Sequence, residues 1–118
     1  MAGGVVARTS AAAGLAESVS LPAEGTLSFR LRVPEGYWRA PGEPCRFPPL
    51  AGDGLYLEVV ITEHWTLEVF VDGPLGRAWS LETAPLVHKP PALALALVWD
   101  AAGVVLHLDG VPVAEALV

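Results

Sequence analysis

The sequence predicts an all-β protein built as a two-layer antiparallel β-sandwich, and three observations carry that prediction. Large apolar residues recur at every second position: Leu27, Phe29, Leu31 and Val33; Leu55, Leu57, Val59 and Ile61; Trp65, Leu67, Val69 and Val71; Leu93, Leu95, Leu97 and Trp99; Val104, Leu106 and Leu108. Period two puts each set on one face of an extended strand, whereas a helix needs apolar positions three and four apart. Turn residues punctuate these runs at Pro34, Asp53-Gly54, Asp72-Gly73-Pro74, Pro90-Pro91 and Asp109-Gly110. No segment carries a sustained helical pattern, so about nine or ten short strands with Gly- and Pro-containing turns imply two stacked sheets. The 118 residues fit one domain, 1–118, with a core large enough to fold without staples.

In chain order, Val5 to Arg8 and Glu17 to Leu21 read as short strands separated by the small-residue stretch Ala11 to Ala16. From Thr26 to Val33 the apolar set faces one way, and Thr26, Ser28, Arg30 and Arg32 face the other, the pattern of a half-solvated strand. Pro34 ends it. The run from Pro34 to Pro49, with five prolines, two glycines and the pair Tyr37-Trp38, reads as one long loop. Leu55–Ile61 and Trp65–Val71 form a hairpin. A loop at Thr62-Glu63-His64 would pair Ile61 with Trp65 and Leu57 with Val69, and on the other face Tyr56 with Phe70, Glu58 with Glu68 and Val60 with Thr66.

Arg77 to Thr83 is a further strand carrying Trp79 and Leu81, and Ala84 to Pro91 is a connection. In Ala92–Trp99, Ala and Leu are good helix formers, but the strict period of two and the entering Pro90-Pro91 decide for a strand. Asp100-Ala101-Ala102-Gly103 closes one hairpin. Asp109-Gly110 closes the next as a type I′ turn, because both central residues need positive φ.

Composition narrows the function. With 53% apolar and 17% charged residues the chain is neither disordered nor, lacking a run of roughly 18 apolar residues, a helical membrane protein. It reads as soluble. Its net charge of −6 repels a phosphate backbone, so nucleic acid and membrane are excluded as partners, while neutral sugars and cations remain compatible. The single Cys45 allows neither an internal disulfide nor a multi-cysteine zinc site, and reads as a small buried hydrophobe. The first eighteen residues show no apolar run after a basic start, so no signal peptide is read; the compartment defaults to cytoplasmic, with export or surface assembly left open.

GTLSFRLRV at Gly25 to Val33, followed by LALVWDAAGVVLHLDGVPVA, resembles the concanavalin A-like lectin/glucanase superfamily, and within it the laminin-G-like and pentraxin-like jelly rolls. Leu95 to Asp100 looks like that family's strand into the final hairpin, and Val104 to Gly110 like its strand ending in Asp-Gly. The chain departs from the pattern at Ala92-Leu93-Ala94, where members commonly carry Trp and His, and it is short for the family. The resemblance implies a lectin-like fold and carbohydrate binding, calcium-assisted adhesion or protein contact, with glycoside hydrolysis in some branches. These motifs are core and turn residues and speak to fold before activity.

Among candidate sites, the outward face of the Leu55–Val71 hairpin sets Tyr56 and Phe70 beside Glu58 and Glu68, with the hydroxyls of Thr62 and Thr66 nearby. Sugar faces are apolar and their edges polar, so stacking rings with directional acceptors suit a non-catalytic carbohydrate site. The same face could instead bury against a protein partner or a second copy in a homo-oligomer. A retaining glycoside hydrolase would need the two glutamates about 5–5.5 Å apart, and the Glu-x-Asp-x-(x)-Glu run in which the hydrolase branches resemble one another is absent. Arg30 or Arg32 could pair with those carboxylates. Tyr37 and Trp38 are a second candidate, either exposed as a ligand anchor or folded back to plug the sandwich end. Trp65, Trp79 and Trp99 read as core by their phase. His64, His88 and His107 show no zinc-ligand spacing, and no cofactor is expected. Asp53, Asp72, Asp100 and Asp109, all at turns, are the residues from which a calcium site would be drawn.

Overall fold

The computed structural model describes residues 5–7, 22–39, 42–52 and 54–118. Ten strands are formed among these residues: β1 (Val5–Ala7), β2 (Gly25–Arg32), β3 (Cys45–Arg46), β4 (Leu50–Gly52), β5 (Leu55–Ile61), β6 (Leu67–Asp72), β7 (Ala78–Glu82), β8 (Ala92–Asp100), β9 (Gly103–Leu108) and β10 (Val111–Leu117). They make two sheets. The first has the order β1-β2-β8-β9-β10 and is antiparallel except where β1 runs parallel to β2. In the second, β5, β6 and β7 are consecutive neighbours, and β3 and β4 share the outer edge of β5. The chain is therefore a two-layer β-sandwich, as its period-two patterning requires. Arg8, Ala11 to Ala16 and the strand expected at Glu17–Leu21 lie outside the described residues.

The core sits where the two inner faces meet. Leu27, Phe29, Leu93, Leu95, Leu97, Trp99, Val104 and Leu106 of the first sheet pack with Leu57, Val59, Ile61, Leu67, Val69, Val71, Trp79 and Leu81 of the second. Each fully buried side chain of this kind contributes about 1.5–3 kcal/mol relative to exposure. Trp99 and Trp79 are core, as their phase requires. Both indoles find partners, Trp99 donating to the Pro22 carbonyl at 3.1 Å and Trp79 to that of Pro74 at 2.7 Å. Gly25 lies directly across from Trp99, and the ring covers it so closely that a Cβ would stand 2.6 Å from the indole. The glycine is required there by contact.

Turn chemistry sets the register of the first sheet. Asp109 and Gly110 take φ of 51° and 81°, so Leu108 pairs with Val111 across the expected two-residue turn. At the preceding hairpin Asp100 pairs with Gly103, and the Asp100 carboxylate accepts the Ala102 N–H at 2.8 Å. Among the described residues, His107 Nδ1 is a buried polar atom without a partner.

Three expectations are corrected. The span from Pro34 to Pro49 is not one irregular loop: it holds a 3-10 turn at Tyr37–Arg39 and the strand β3. Cys45 and Phe47 enter the core, and Phe47 N–H bonds the Val59 carbonyl at 3.1 Å, which pins the segment to β5. The β5–β6 register is shifted by two: Tyr56 faces Asp72, Glu58 faces Phe70, Val60 faces Glu68 and Ile61 faces Leu67. The cause is the loop, which is Glu63-His64-Trp65, with Thr62 N–H donating to the Thr66 carbonyl at 2.8 Å and Trp65 N–H to that of Thr62 at 2.9 Å. Trp65 itself is the third correction. With φ of 67° it occupies the left-handed position of the loop, half-buried against the rim of the core.

Candidate functional site

The outer face of the second sheet is a lattice whose rows follow from the ladders. One row runs Arg46, Val60, Glu68, Glu82 across β3, β5, β6 and β7; the next runs Glu58, Phe70, Ser80; the third runs Ala51, Tyr56, Asp72, Ala78. Each of these positions alternates with a core residue, so burial of the inner set fixes the outer one. Between the first two rows lies an open groove of about 440 Å³ lined by Arg46, Glu58, Val60, Glu68, Phe70, Ser80 and Glu82.

Aromatic surface and carboxylates meet here. Tyr56 and Phe70 are edge to face with centroids 6.3 Å apart, and Phe70 is 38% exposed. Glu68 stands directly opposite Glu82, an unfavourable juxtaposition of about 0.2–1 kcal/mol for like charges. Thr66 offsets part of it: its hydroxyl bonds the Glu82 carboxylate at 2.8 Å and is linked to that of Thr62 at 2.6 Å. Among the described residues, no Lys or Arg nitrogen comes within 4.0 Å of Glu58, Glu68 or Glu82. Arg77 is held elsewhere, with its guanidinium 4.3 Å from the centroid of Trp79. Glu58 pushes the Tyr56 phenol above its ordinary pKa, through side-chain hydrogen bonding first, then partial burial and negative charge.

The structure brings Tyr56, Glu58, Glu68 and Phe70 onto one face, as the sequence pattern requires, but in a different arrangement. Glu58 and Glu68 are diagonal neighbours, and the carboxylate pair directly across strands is Glu68 with Glu82. The expected Glu58–Glu68 opposition is thus corrected by the register shift, and with it the spacing argument for a retaining glycosidase. Arg30 and Arg32, which the sequence offered as ion-pair partners, lie on β2 in the other sheet. Sequence reasoning missed Arg46, Ser80 and Glu82. For Ser80 and Glu82 the signal was present, since they alternate with Trp79 and Leu81, but no turn residue fixed which of them would face Glu68.

Tyr37 and Trp38 do not join this face. They stack with Trp65 in a three-ring cluster at the sandwich end, with centroids 5.3, 5.7 and 5.4 Å apart. Trp38 donates to the Pro90 carbonyl at 2.7 Å, Tyr37 to that of Glu43, and the Lys89 ammonium lies 5.2 Å from the centroid of Trp65. Partial burial raises the Tyr37 pKa, and the nearby Cys45 and Glu43 add to the shift. The three rings are half-buried and packed against the rim of the core. Among the described residues no three His, Cys, Asp or Glu side chains gather as metal ligands. Asp100 and Asp109 sit at opposite ends of β9, Asp72 is in the other sheet, and Asp53 lies outside the described residues.

Compared with known proteins, the chain matches no family model, no curated protein and no solved structure.

Proposed function

We propose that this protein is a non-catalytic carbohydrate-binding module, with the outer face of its second sheet as the binding surface. One observation carries the reading. Exposed Phe70, packed against half-buried Tyr56, borders an open groove whose carboxylates, Glu58, Glu68 and Glu82, have no cationic partner among the described residues and retain oxygen lone pairs that can accept from hydroxyls. A ring face for the apolar side of a pyranose and acceptors for its edge are the two requirements of a sugar site. The likeness of Gly25–Val33 and Leu95–Ala114 to concanavalin A-like lectins, of the laminin-G-like kind, supports the same reading.

A glycan array followed by calorimetric titration tests it. Binding of one or more neutral oligosaccharides, weakened at least about tenfold by Phe70→Ala, is the expected result. Clean negatives across neutral glycans, with and without calcium, sink it. Turnover of a bound glycan that disappears in a Glu58→Gln/Glu68→Gln double variant would replace it with a hydrolase.

A further inference from the structure

The two outer faces of the sandwich differ in charge and in relief. The second sheet presents Glu58, Glu68, Asp72 and Glu82 against the single Arg46, with Phe70 standing at their centre. The first sheet presents Arg30 and Arg32, both exposed, along β2. Beside them the outward residues of β8 are small: Ala92, Ala94 and Ala96, paired with Arg32, Arg30 and Ser28. Between the Arg30 wall and the Asp109-Gly110 turn this leaves a shallow depression of about 530 Å³ floored by Ala94 and Ala96. One face sets carboxylates around the exposed Phe70; the other sets Arg30 and Arg32 beside a shallow trough.

We propose that these faces bind each other between copies, Phe70 of one chain seating over Ala94 and Ala96 of the next while Glu58 and Glu68 meet Arg30 and Arg32. The contact is heterologous, using a different patch on each copy, so every bound copy leaves one free face of each kind and the assembly grows by stacking. Opposite charge favours this pairing over the second face against itself, which sets its carboxylates together; on the first face Arg30 and Arg32 lie along β2, separated from Glu115 on β10. At the β10 edge, Pro112 removes a backbone donor and the register shift between Pro112 and Ala114 breaks the ladder, which blunts strand addition there. Face-to-face contact is the route left to this sheet at that side.

The size of the faces sets the strength. The narrower second sheet limits the contact: its three inter-strand spacings of about 4.8 Å give a width of about 14 Å, and a face of that width and about 20 Å in length buries about 300 Å² per copy, well below the roughly 800 Å² of a stable interface. Association is therefore weak, concentration-dependent and sensitive to salt. The inference goes beyond glycan binding and uses the same groove, so a glycan that occupies Tyr56 and Phe70 competes with stacking.

Sedimentation velocity of the full chain, without glycan, tests it. The expected result is a mass that rises above 12.4 kDa with protein concentration at low salt and falls back at roughly 0.5–1 M NaCl, where charges are screened within a few ångströms. Glu58→Lys/Glu68→Lys and Arg30→Glu/Arg32→Glu should each stay monomeric alone, and an equimolar mixture of the two should associate again. That rescue also shows that both variants fold. A wild-type chain that stays monomeric at millimolar concentration and low salt overturns the proposal. So does association that survives either reversal, or a mixture that remains monomeric. None of these readouts involves a sugar, so a failed glycan array and a failed stacking model are told apart.

Discussion

The hairpins β5–β6 and β8–β9 are alike on their inner sides and unlike on their outer ones. Inward, both supply large aliphatic residues to a shared core: Leu57, Val59, Ile61, Leu67 and Val69 from one, Leu93, Leu95, Leu97 and Leu106 from the other. Outward, β8 carries Ala92, Ala94 and Ala96, while β5 and β6 carry Tyr56, Glu58, Glu68 and Phe70. The difference separates two jobs. A strand whose outer side chains are small contributes frame and presents little chemistry; one whose outer side chains are large and charged presents a surface that nothing in the fold requires. The site reading therefore belongs to β5–β6, and β8–β9 enters function only through its relief.

Four experiments break or sharpen this contrast. The largest effect is expected inside: Leu97→Ala, at a fully buried position, should cost about 2–5 kcal/mol in denaturant unfolding, whereas Phe70→Ala should cost under about 1 kcal/mol. A similar cost for both would remove the distinction between frame and surface. Next come the glycines of the β8–β10 frame. Gly103 has φ of 146°, and a Cβ there would run into the Ala116 carbonyl, so Gly103→Ala should lower stability by at least about 2–3 kcal/mol. Gly110, at φ of 81° with open space around it, should cost only about 1–2 kcal/mol as alanine, the backbone strain alone.

Third, Phe70→Ala and Tyr56→Ala should each weaken glycan binding at least about tenfold while lowering the unfolding temperature by no more than about 8 °C, and Trp38→Phe, at the sandwich end, should leave binding unchanged. Loss of binding in Trp38→Phe alone would move the site to the sandwich end. The smallest effect is a titration. Glu58 raises the Tyr56 pKa above 10.0, so the folded state holds the phenolic proton more tightly than the unfolded chain. That contribution to stability is present below the unfolded value and is lost as pH rises through the folded one. Phenolate absorbance, taken as the difference between wild type and Tyr56→Phe, should show the transition moving down toward 10.0 in Glu58→Gln.

How far the fold was legible depended on turns. Asp109-Gly110 announces its own geometry, since these two residues tolerate positive φ, and the strands on either side follow from it. At the β5–β6 loop the left-handed position is taken by Trp65, a residue that local preference would not put there. Reading the loop one residue early kept every side chain on its correct face, because a shift of two preserves parity, yet exchanged the partners of Glu58 and Glu68. Within the hairpin core only Trp65 was displaced, to the rim, whereas the carboxylate pair was exchanged. The three-ring cluster was illegible for a related reason, since Tyr37, Trp38 and Trp65 are brought together only by the return of the long Pro-containing segment to the sandwich end.

By itself the sequence determined the class of structure, the strands from Gly25 onward other than β3 and β4, the inward and outward faces of each, and the presence of Tyr56, Glu58, Glu68 and Phe70 on one surface. All of these follow from the alternation of side chains along an extended chain, which is a local property. Only the tertiary structure decided that Glu82, Ser80 and Arg46 complete that surface, that Arg30 and Arg32 lie on the opposite one, and that Trp65 leaves the core for the rim. Those facts depend on which strands become neighbours and in what register, and neighbours are chosen by the packing of the whole core and the geometry of a few turns.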